Sequence, residues 1–384
     1  MGQHTLSGTQ QPMRGRCAIA ARIPSRLAIP FPLSIPPNET AIKEKEFGSK
    51  KSLKILFSFH LPLYLTLWHL AAAAAAESPT VKIAPGVLMP RLNLGTCCGS
   101  LPQVGVPAWF AAGGAGIDTA FDYLDEPTIA NILATSGKPR ASYFLTTKVP
   151  AGIGALEGNT TDCSLAGGNN LTDVALNYVR VNIAQLRVKQ VDLVLLHAPC
   201  RFALHPVADP TASDNALWRG LMAAKSLGLT RAIGVSNYNS TELAALEGDV
   251  PAVNQCQMSI VPDNVHSAGW PMPPIAHDDA TIAYCAAHGI TYEAWRVLGG
   301  CPFTDPTLLS MARTHNVSAA QICLRWTLQR GAIVAAGTGA NASTVGEYSA
   351  ENLGALDFAL TAAEMSTLSA MSPQPQPQPQ PDSE

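Results

Sequence analysis

Charged side chains are scarce in this chain, and no spacing typical of a metal site is present. Asp, Glu, Lys and Arg make up 14% of the 384 residues, whereas hydrophobic residues make up 47%. That composition supports a large buried core and excludes a wholly disordered chain. The Cys and His residues form no cluster with ligand spacing, so we expect no metal centre. Internal repeats are also absent, which favours a single folded domain.

Positive charge is scarce in the body of the chain. Residues 1–76 carry nine Lys/Arg and three Asp/Glu (9 − 3 = +6), and the remainder carries sixteen and twenty-five (16 − 25 = −9). No Lys or Arg occurs in residues 331–384. Because a nucleic-acid surface needs clustered cations to neutralise phosphate, this acidic body argues against a nucleic-acid partner.

The N-terminal part of the sequence differs from the rest and resembles a targeting region. Residues 1–52 are rich in Pro, Ser, Lys and Arg, and we expect a disordered extension there. Residues 53–78 combine a basic flank, an apolar run and six alanines, which is typical of a secretory signal peptide. The run is also as long as a membrane span, so a signal anchor at 53–76 stays open. An organelle-targeting segment, or a start codon placed too early, would explain the long extension before it.

Two further signals favour the secretory pathway or an extracellular location. Eight Cys follow residue 76, an even number that suits an oxidising compartment. Glycosylation tripeptides of the type Asn-X-Ser/Thr occur at Asn159, Asn170, Asn239, Asn316 and Asn341. At the other end, residues 373–384 are mostly Pro-Gln pairs without core-forming residues, which predicts a disordered tail.

From residue 79 onward, short β-rich runs alternate with stretches of helical periodicity. A hairpin is expected over Val81–Met89, with Pro85-Gly86 at its turn. Eight strands are predicted after it: Arg91–Thr96, Gly116–Asp118, Tyr143–Lys148, Val191–Leu196, Arg231–Val235, Ala252–Gln257, Ile290–Ala294 and Ala332–Ala335. Helices are expected at Thr172–Leu186, Ala216–Leu227, Ser240–Leu246 and Ala280–His288, with Ser240 suited to an N-cap. This order predicts an α/β fold, a closed (β/α)8 TIM barrel over residues 79–372.

Four polar residues stand at or just after predicted strand ends: Asp118, Tyr123, Lys148 and His197. In a β/α barrel the C-terminal strand ends converge on one rim, where catalysis occurs. A carboxylate, a phenol, an ammonium and an imidazole are together suited to protonating a carbonyl oxygen. Taken singly, each residue also has a structural explanation as an ion-pair member, an interfacial aromatic, a strand-end cation or a hydrogen-bonded core His.

Several motifs, in this order, resemble the aldo-keto reductase superfamily between Val81 and Met371. They are Met89-Pro90 with Leu94-Gly95-Thr96, Ile117-Asp118-Thr119-Ala120, Thr146-Thr147-Lys148, Val191-Asp192-Leu193 with Leu196-His197, Arg231 to Asn237, Val253-Asn254-Gln255, and Glu351-Asn352. The resemblance implies a barrel enzyme that reduces an aldehyde or ketone to the alcohol with NADPH or NADH.

The resemblance places the family's catalytic tetrad on Asp118, Tyr123, Lys148 and His197. Tyr123 would be the general acid, but a free tyrosine has a pKa of about 10 and is a poor acid at neutral pH. The Lys148 ammonium would lower that pKa, and Asp118 would keep Lys148 charged and oriented. His197 would orient the carbonyl, while the nicotinamide would carry the hydride.

The resemblance also assigns positions to the nicotinamide end of the cofactor. Ser236, Asn237 and Gln255 match residues that bind the carboxamide, and Trp295 would stack on the nicotinamide ring. The alternatives are that the three polar residues merely satisfy polar groups at the barrel mouth and that Trp295 is a core residue.

The rest of the nucleotide is assigned to later positions. Leu298 and Gly299 would lie by the pyrophosphate, and Glu351 and Asn352 match residues that contact adenine. Where the family commonly has Pro-Lys-Ser and then an Arg, this chain has Ala336-Gly337-Thr338 and no cation. Backbone amides of the loop around Thr338 could still hold phosphate. The choice between NADPH and NADH is open, and we expect use of both or preference for NADH.

An insertion, Gly152–Asn170, follows the strand that contains Lys148. It contains Cys163, and Cys200 lies three residues after His197, so a disulfide between neighbouring rim loops is expected, with two free thiols as the alternative. Cys97-Cys98, just past the first barrel strand, is expected to line the substrate pocket.

Two other functions stay open beside the monomeric reductase of a small carbonyl substrate. One is a catalytically silent member of the same fold that binds the nucleotide as a regulatory or binding subunit. The other is a secreted barrel that has lost nucleotide binding altogether. The altered loop after the last strand leaves room for both, whereas the complete tetrad argues against them.

Overall fold

Eight parallel strands close into a barrel in the computed structural model, which describes residues 79–151, 163, 170–203, 207–263 and 276–372. The expected extension at 1–52, the signal-like or anchor segment at 53–78 and the tail at 373–384 lie outside these residues. So do Asn159 and most of the insertion around Cys163. Within the described ranges, no helix has the length and apolar character needed to span a membrane.

The barrel follows the chain order, with each strand beside the next and the last beside the first. Its strands are β3 (Leu92–Gly95), β4 (Gly116–Asp118), β5 (Phe144–Val149), β6 (Val191–Leu196), β7 (Thr230–Ser236), β8 (Val253–Gln257), β9 (Thr291–Trp295) and β10 (Ile333–Ala336). The predicted (β/α)8 TIM barrel is confirmed, and each predicted strand bound lies within one residue of the observed one.

An antiparallel ribbon, β1 (Thr80–Ala84) and β2 (Val87–Pro90), precedes the barrel as the predicted hairpin. Its Ile83, Val87 and Met89 are buried in one cluster with barrel residues such as Phe144 and Ile333, which begin their strands. Burying each of these side chains stabilises the fold by about 1.5 to 3 kcal/mol. The ribbon therefore closes the N-terminal end of the barrel and leaves the C-terminal rim for loops.

Helices cover the outside of the barrel. In the described ranges they are α1 (Pro102–Ala111), α2 (Glu126–Thr135), α3 (Leu171–Leu186), α4 (Pro210–Ser226), α5 (Ser240–Ala245), α6 (Asp279–Ala287), α7 (Pro306–His315), α8 (Ala319–Gln329), α9 (Val345–Leu353) and α10 (Ala362–Ser369). Fully buried Trp109, Trp218 and Trp326, from α1, α4 and α8, belong to the main hydrophobic core, where they bury the largest apolar areas.

One helix start differs from the prediction by more than one residue, and one N-cap was assigned to the wrong residue; side-chain caps explain both. Helix α4 begins six residues before the expected Ala216, because the Asp209 carboxylate accepts a hydrogen bond from the Ala212 amide and Pro210 occupies the first turn. The expected N-cap at Ser240 is wrong. Asn239 caps α5 in a complete capping box with Glu242, so this glycosylation tripeptide has its Asn side chain in use.

Three disulfides cross-link the described residues. Cys163 pairs with Cys200 as expected, with 5.7 Å between their Cα atoms. Cys301 pairs with Cys323, and the adjacent Cys97 and Cys98 pair with each other. The last two pairings were not expected from the sequence. Free thiols remain at Cys256 and Cys285.

Replacing Cys163 and Cys200 by Ala should lower the free energy of unfolding by about 3 to 4 kcal/mol, because the cross-link restricts the unfolded chain. Chemical denaturation of the full chain measures the change, with the free-thiol variant Cys256→Ala as the control. Non-reducing peptide mapping should recover the two peptides as one species. Recovery of both thiols in alkylated form without a reductant would contradict the pairing.

Candidate active site

The barrel rim brings together all four residues predicted to be catalytic. Asp118 ends β4, Tyr123 ends a 3-10 turn (Phe121–Tyr123), Lys148 lies near the end of β5, and His197 directly follows β6. The Lys148 ammonium donates to Asp118 Oδ1 at 2.7 Å and to the Tyr123 hydroxyl at 3.2 Å. The Tyr123 and His197 rings lie edge to face, with centroids 5.5 Å apart. A carboxylate, an ammonium, a phenol and an imidazole therefore meet at one place.

Lys148 stays charged although it is completely buried. Burial alone would lower the pKa of its ammonium, but Asp118 and Tyr123 together raise it above the ordinary value. The ammonium donates a third hydrogen bond to the Thr119 carbonyl at 3.1 Å. All three of its hydrogens are thus used, which fixes its position under the phenol.

Tyr123 departs from the expected electrostatics. Burial of its hydroxyl raises the pKa to about 12, and this outweighs the lowering by the Lys148 charge and hydrogen bond. Lys148 thus lowers the pKa as expected, but the net shift is upward, because desolvation of a phenolate costs more than one shared cation returns. The phenol keeps its proton throughout the neutral range.

Asp122 is a site residue that the sequence reasoning missed. Its Oδ2 lies 2.7 Å from Nδ1 of His197, and both side chains are buried. Asp122 directly precedes Tyr123, so an acidic residue beside the predicted acid was the available signal. Their separation of 75 residues hides the pairing itself from any local pattern.

A chain of buried hydrogen bonds leads from Asp118 into the barrel. Gln255 Nε2 donates to Asp118 Oδ2 at 2.8 Å and to Glu293 Oε2 at 2.9 Å. Asn93 Nδ2 donates to Glu293 Oε1 at 3.1 Å. Gln255 was predicted to bind the carboxamide, but both of its amide hydrogens already serve carboxyl groups. Its Oε1 is the atom left to meet a ligand.

Two completely buried carboxyl groups hold protons near neutral pH. Burial, followed by repulsion from Asp118, raises the pKa of Glu293 to about 8. Burial likewise raises the pKa of Glu126 to about 8, although the Thr147 hydroxyl donates to it at 2.6 Å. The Lys148 ammonium is therefore outnumbered by the acidic side chains buried around it.

A cavity of about 350 Å³ opens beside the tetrad. Six of the predicted cofactor residues line it: Ser236, Asn237, Gln255, Trp295, Leu298 and Gly299. The expected lining by Cys97 and Cys98 is also observed. Gly299 is required where it stands, because an added Cβ would lie 2.2 Å from the Asp263 carboxylate.

The polar residues at the cavity also bind one another. Asn237 Nδ2 donates to the His197 carbonyl at 3.1 Å and to the Ser236 hydroxyl at 3.0 Å. Trp295 Nε1 donates to Asn237 Oδ1 at 3.1 Å. Hydrogen bonds among polar groups at the barrel mouth, the alternative considered from the sequence, are therefore observed for Ser236 and Asn237. The same bonds fix the orientation of these groups at the cavity.

Thr338, Glu351 and Asn352 are not among the described residues that line the cavity. Their part of the chain contributes Gly337 and Gly339 to the lining. The Thr338 amide lies 3.3 Å from the Ser100 hydroxyl, and Asn352 Nδ2 donates to the Gly337 carbonyl at 3.3 Å. Thr338 and Asn352 are buried and Glu351 is half-buried. The hydrogen bonds of Thr338 and Asn352 hold the glycine loop in place.

Cations are nearly absent from the described cavity wall. Arg296 is its one Lys or Arg side chain, and its Nε donates to Asp263 Oδ2 at 2.6 Å. No group of His, Cys, Asp and Glu suited to a metal ion occurs in the described ranges. The described cavity wall therefore consists mainly of backbone, amide, aromatic and apolar groups.

Glu293→Gln should flatten the pH dependence of stability. A carboxyl group whose pKa is about 8 when folded and 4.5 otherwise binds its proton mainly in the folded state between those values. Stability therefore falls as pH rises through this window, by up to about 1.4 kcal/mol per pH unit for one group. Urea denaturation of the full chain between pH 5 and 8 measures the slope, with exposed Glu347→Gln as the control. Equal slopes in the wild type and Glu293→Gln would contradict it.

Comparison of the sequence with known proteins shows which family the chain resembles. The sequence model of the aldo/keto reductase family matches residues 105–373. An aldo-keto reductase of Mycolicibacterium vanbaalenii is 31% identical over 306 residues, covering 78% of this chain and 94% of the relative. The morphine 6-dehydrogenase of Pseudomonas putida is 30% identical over 316 residues, covering 77% and 91%.

Solved structures agree. The aldo/keto reductase from Brucella melitensis superimposes with a TM-score of 0.61 at 27% identity, covering 76% of this chain and 99% of that one. An aldo-keto reductase of Bombyx mori, crystallised in complex with NADP, shares the fold with a TM-score of 0.61 at 24% identity, covering 78% and 94%. Because the matched region contains Asp118, Tyr123, Lys148 and His197 on the barrel rim, this chain belongs to the aldo/keto reductase family of oxidoreductases.

Proposed function

We propose that the protein reduces an aldehyde or ketone to the alcohol with NADH or NADPH, the reaction class EC 1.1.1.-. The observation that carries the proposal is the continuous hydrogen-bond chain from Asp118 through Lys148 to the Tyr123 hydroxyl, ending at an open cavity. The morphine 6-dehydrogenase and aldehyde reductase activities named for relatives support a small-molecule carbonyl or alcohol substrate.

In the proposed reaction the bound cofactor supplies a hydride to the carbonyl carbon. Tyr123 hydrogen-bonds the carbonyl oxygen and gives its proton as negative charge develops there. Lys148 stabilises the phenolate that remains, and Asp118 holds Lys148 in place. His197 donates a second hydrogen bond to the same oxygen and so fixes the direction of approach. Because the phenol keeps its proton over the neutral range, the general acid is already protonated when the substrate binds.

The described residues fit a nicotinamide nucleotide. Trp295 offers an aromatic face, and Ser236 and Asn237 offer polar groups that their mutual hydrogen bonds hold in place. Behind them, Gly339 lines the cavity, and a Cβ added to it would meet no atom within 4 Å. The backbone of residues 337–339 therefore has room for a phosphate group, held by amides rather than by side chains.

The 2′-phosphate of NADPH fits less well. Phosphate recognition normally uses Arg or Lys, yet residues 331–384 contain neither. Arg296 is already paired with Asp263. We therefore propose that the enzyme uses NADH at least as well as NADPH.

A catalytically silent nucleotide-binding member of the fold is the second candidate. The cation-free loop leaves room for it, because weak discrimination between nucleotides is compatible with a sensing or binding role as well as with a catalytic one. It predicts nucleotide binding without turnover, whereas a barrel that has lost nucleotide binding predicts neither. The complete tetrad geometry favours the reductase.

The location and assembly are proposed on narrower grounds. Disulfides at Cys163–Cys200 and Cys301–Cys323 support maturation in an oxidising compartment, as the signal-like segment at 53–78 would require. Of the glycosylation tripeptides in the described ranges, Asn170, Asn316 and Asn341 are exposed. We propose a secreted, monomeric catalytic domain at residues 79–372.

Tyr123→Phe should abolish turnover while leaving nucleotide binding intact, because the ring is kept and the proton donor is lost. The loss in kcat should be on the order of a hundredfold or more. Reduced-cofactor absorbance with a panel of aldehydes, offering NADH and NADPH separately to the full chain, measures it. Tyr143→Phe, which removes a hydroxyl outside the lining of the cavity, is the matched control. Nucleotide binding without turnover in the wild type would favour the silent member instead.

Gly337→Lys should shift the preference toward NADPH, lowering its KM by about tenfold, because it adds a cation for the 2′-phosphate. The position can accept a side chain, since an added Cβ lies 3.5 Å from Ser100. Gly337→Gln, of similar length and without charge, is the control. A strong NADPH preference in competition kinetics of the wild-type protein would refute the proposed use of NADH.

A further inference from the structure

We propose that Asp122 is a positioning residue that makes His197 a hydrogen-bond donor toward the substrate oxygen. The proposal rests on the proposed reductase function. His197 Nδ1 and Asp122 Oδ2 lie 2.7 Å apart in a buried pair. Asp122 shares its 3-10 turn with Tyr123, so one short turn sets both groups that would meet the carbonyl oxygen.

The count of hydrogens on the pair leads to this role. An ionised carboxylate only accepts, so Nδ1 must carry the hydrogen that joins His197 to Asp122. In a neutral imidazole, Nε2 is then an acceptor. A carbonyl oxygen also only accepts, so the two would not bind. Nε2 can donate only when the pair holds one further proton, on the second ring nitrogen or on the carboxyl group.

The surroundings of Asp122 favour that additional proton. Its other oxygen, Oδ1, is buried and has no hydrogen-bond partner among the described residues. Among the described residues, His197 is thus the one polar partner of this buried carboxyl group. A buried carboxylate without a countercharge is costly, and a doubly protonated imidazole supplies that charge where Asp122 needs it.

The neighbouring groups leave His197 to supply the positive charge beside Asp122. Of the titratable groups around the pair, the Tyr123 ring lies edge to face with His197, and Glu126 of α2 and Asp122 repel each other when charged. Asp118, Lys148 and Asp125 act on Tyr123. Lys148 is committed to Asp118 and Tyr123. Among the described residues, His197 is therefore the basic group in contact with Asp122.

The consequence is a particular division of labour. Tyr123 gives the proton, and a charged Nε2–H of His197 stabilises the negative charge that develops on the oxygen before that transfer. Loss of the extra proton from the pair would turn Nε2 into an acceptor and repel the substrate oxygen. Asp122 thus acts through His197 without touching the substrate.

Nitrogen NMR of the full chain, labelled with 15N-histidine, tests the pair without relying on activity. The His197 signals are identified by their loss in His197→Gln. We expect the wild-type ring to hold two protons at a pH where the ring in Asp122→Asn holds one. Asp125→Asn removes a nearby carboxyl group that bonds Thr119 rather than His197, and it should leave the His197 signals unchanged. Identical His197 signals in the wild type and Asp122→Asn would overturn the proposal.

A double-mutant cycle tests the role in turnover. Asp122→Asn should lower kcat/KM by about tenfold to a hundredfold and alter its pH profile, because the Asn amide can donate to Nδ1 and leave a neutral Nε2–H, which stabilises the developing negative charge less than a charged donor does. In the His197→Gln background the same change should have no further effect. An equal loss in both backgrounds would show a general structural role and overturn the proposal. If the wild type reduces no carbonyl, the proposed function fails, and the NMR result still decides on the pair.

Discussion

The buried ammonium of Lys148 is the interaction on which the rest of the site depends. It is fully buried, bonded to Asp118 and Tyr123, and surrounded by more acids than it can neutralise. A cation in such a place is stable only when every hydrogen has an acceptor and an anion is in contact. Asp118 meets that need from the next strand, and Gln255 in turn holds Asp118. Removing Asp118 would leave the Lys148 charge without a countercharge inside the barrel.

The excess of acids around this one cation explains where the interior keeps its protons. Asp118 is neutralised directly by Lys148, whereas Glu126 and Glu293 have their pKa raised to about 8 by burial and remain protonated. Asp122 has a histidine as its partner instead. Neutrality is thus reached in three ways: an ion pair, protonated acids and, with the additional proton proposed above, the Asp122–His197 pair. The site is consequently sensitive to pH over the range in which these groups release protons.

Features that depend on a short stretch of sequence, such as strand bounds, were predicted correctly. Strands such as Val191–Leu196 are short apolar runs ended by a polar residue, so both their bounds and their rim position could be read from the sequence. Contacts across the barrel could not be read in this way. The bond between Asn93 and Glu293 joins residues 200 positions apart, and it depends on strand register. The net direction of the pKa shift at Tyr123 could not be predicted for a related reason, because it depends on burial by distant elements.

The cavity wall shows how the rim loops are held in unfavourable backbone conformations. Cys98, Asn237 and Arg296 follow β3, β7 and β9, have φ values of 61°, 64° and 61°, and all line the cavity. A left-handed conformation costs a residue other than glycine about 1 kcal/mol or more, so it persists only where neighbours impose it. Each has such a restraint: the disulfide to Cys97, the hydrogen bonds of the Asn237 amide, and the Arg296 ion pair with Asp263. These local restraints turn each loop sharply into the cavity. On the described cavity wall they fix the positions of amide, indole and sulfur groups, and the one Lys or Arg side chain there, Arg296, is paired with Asp263.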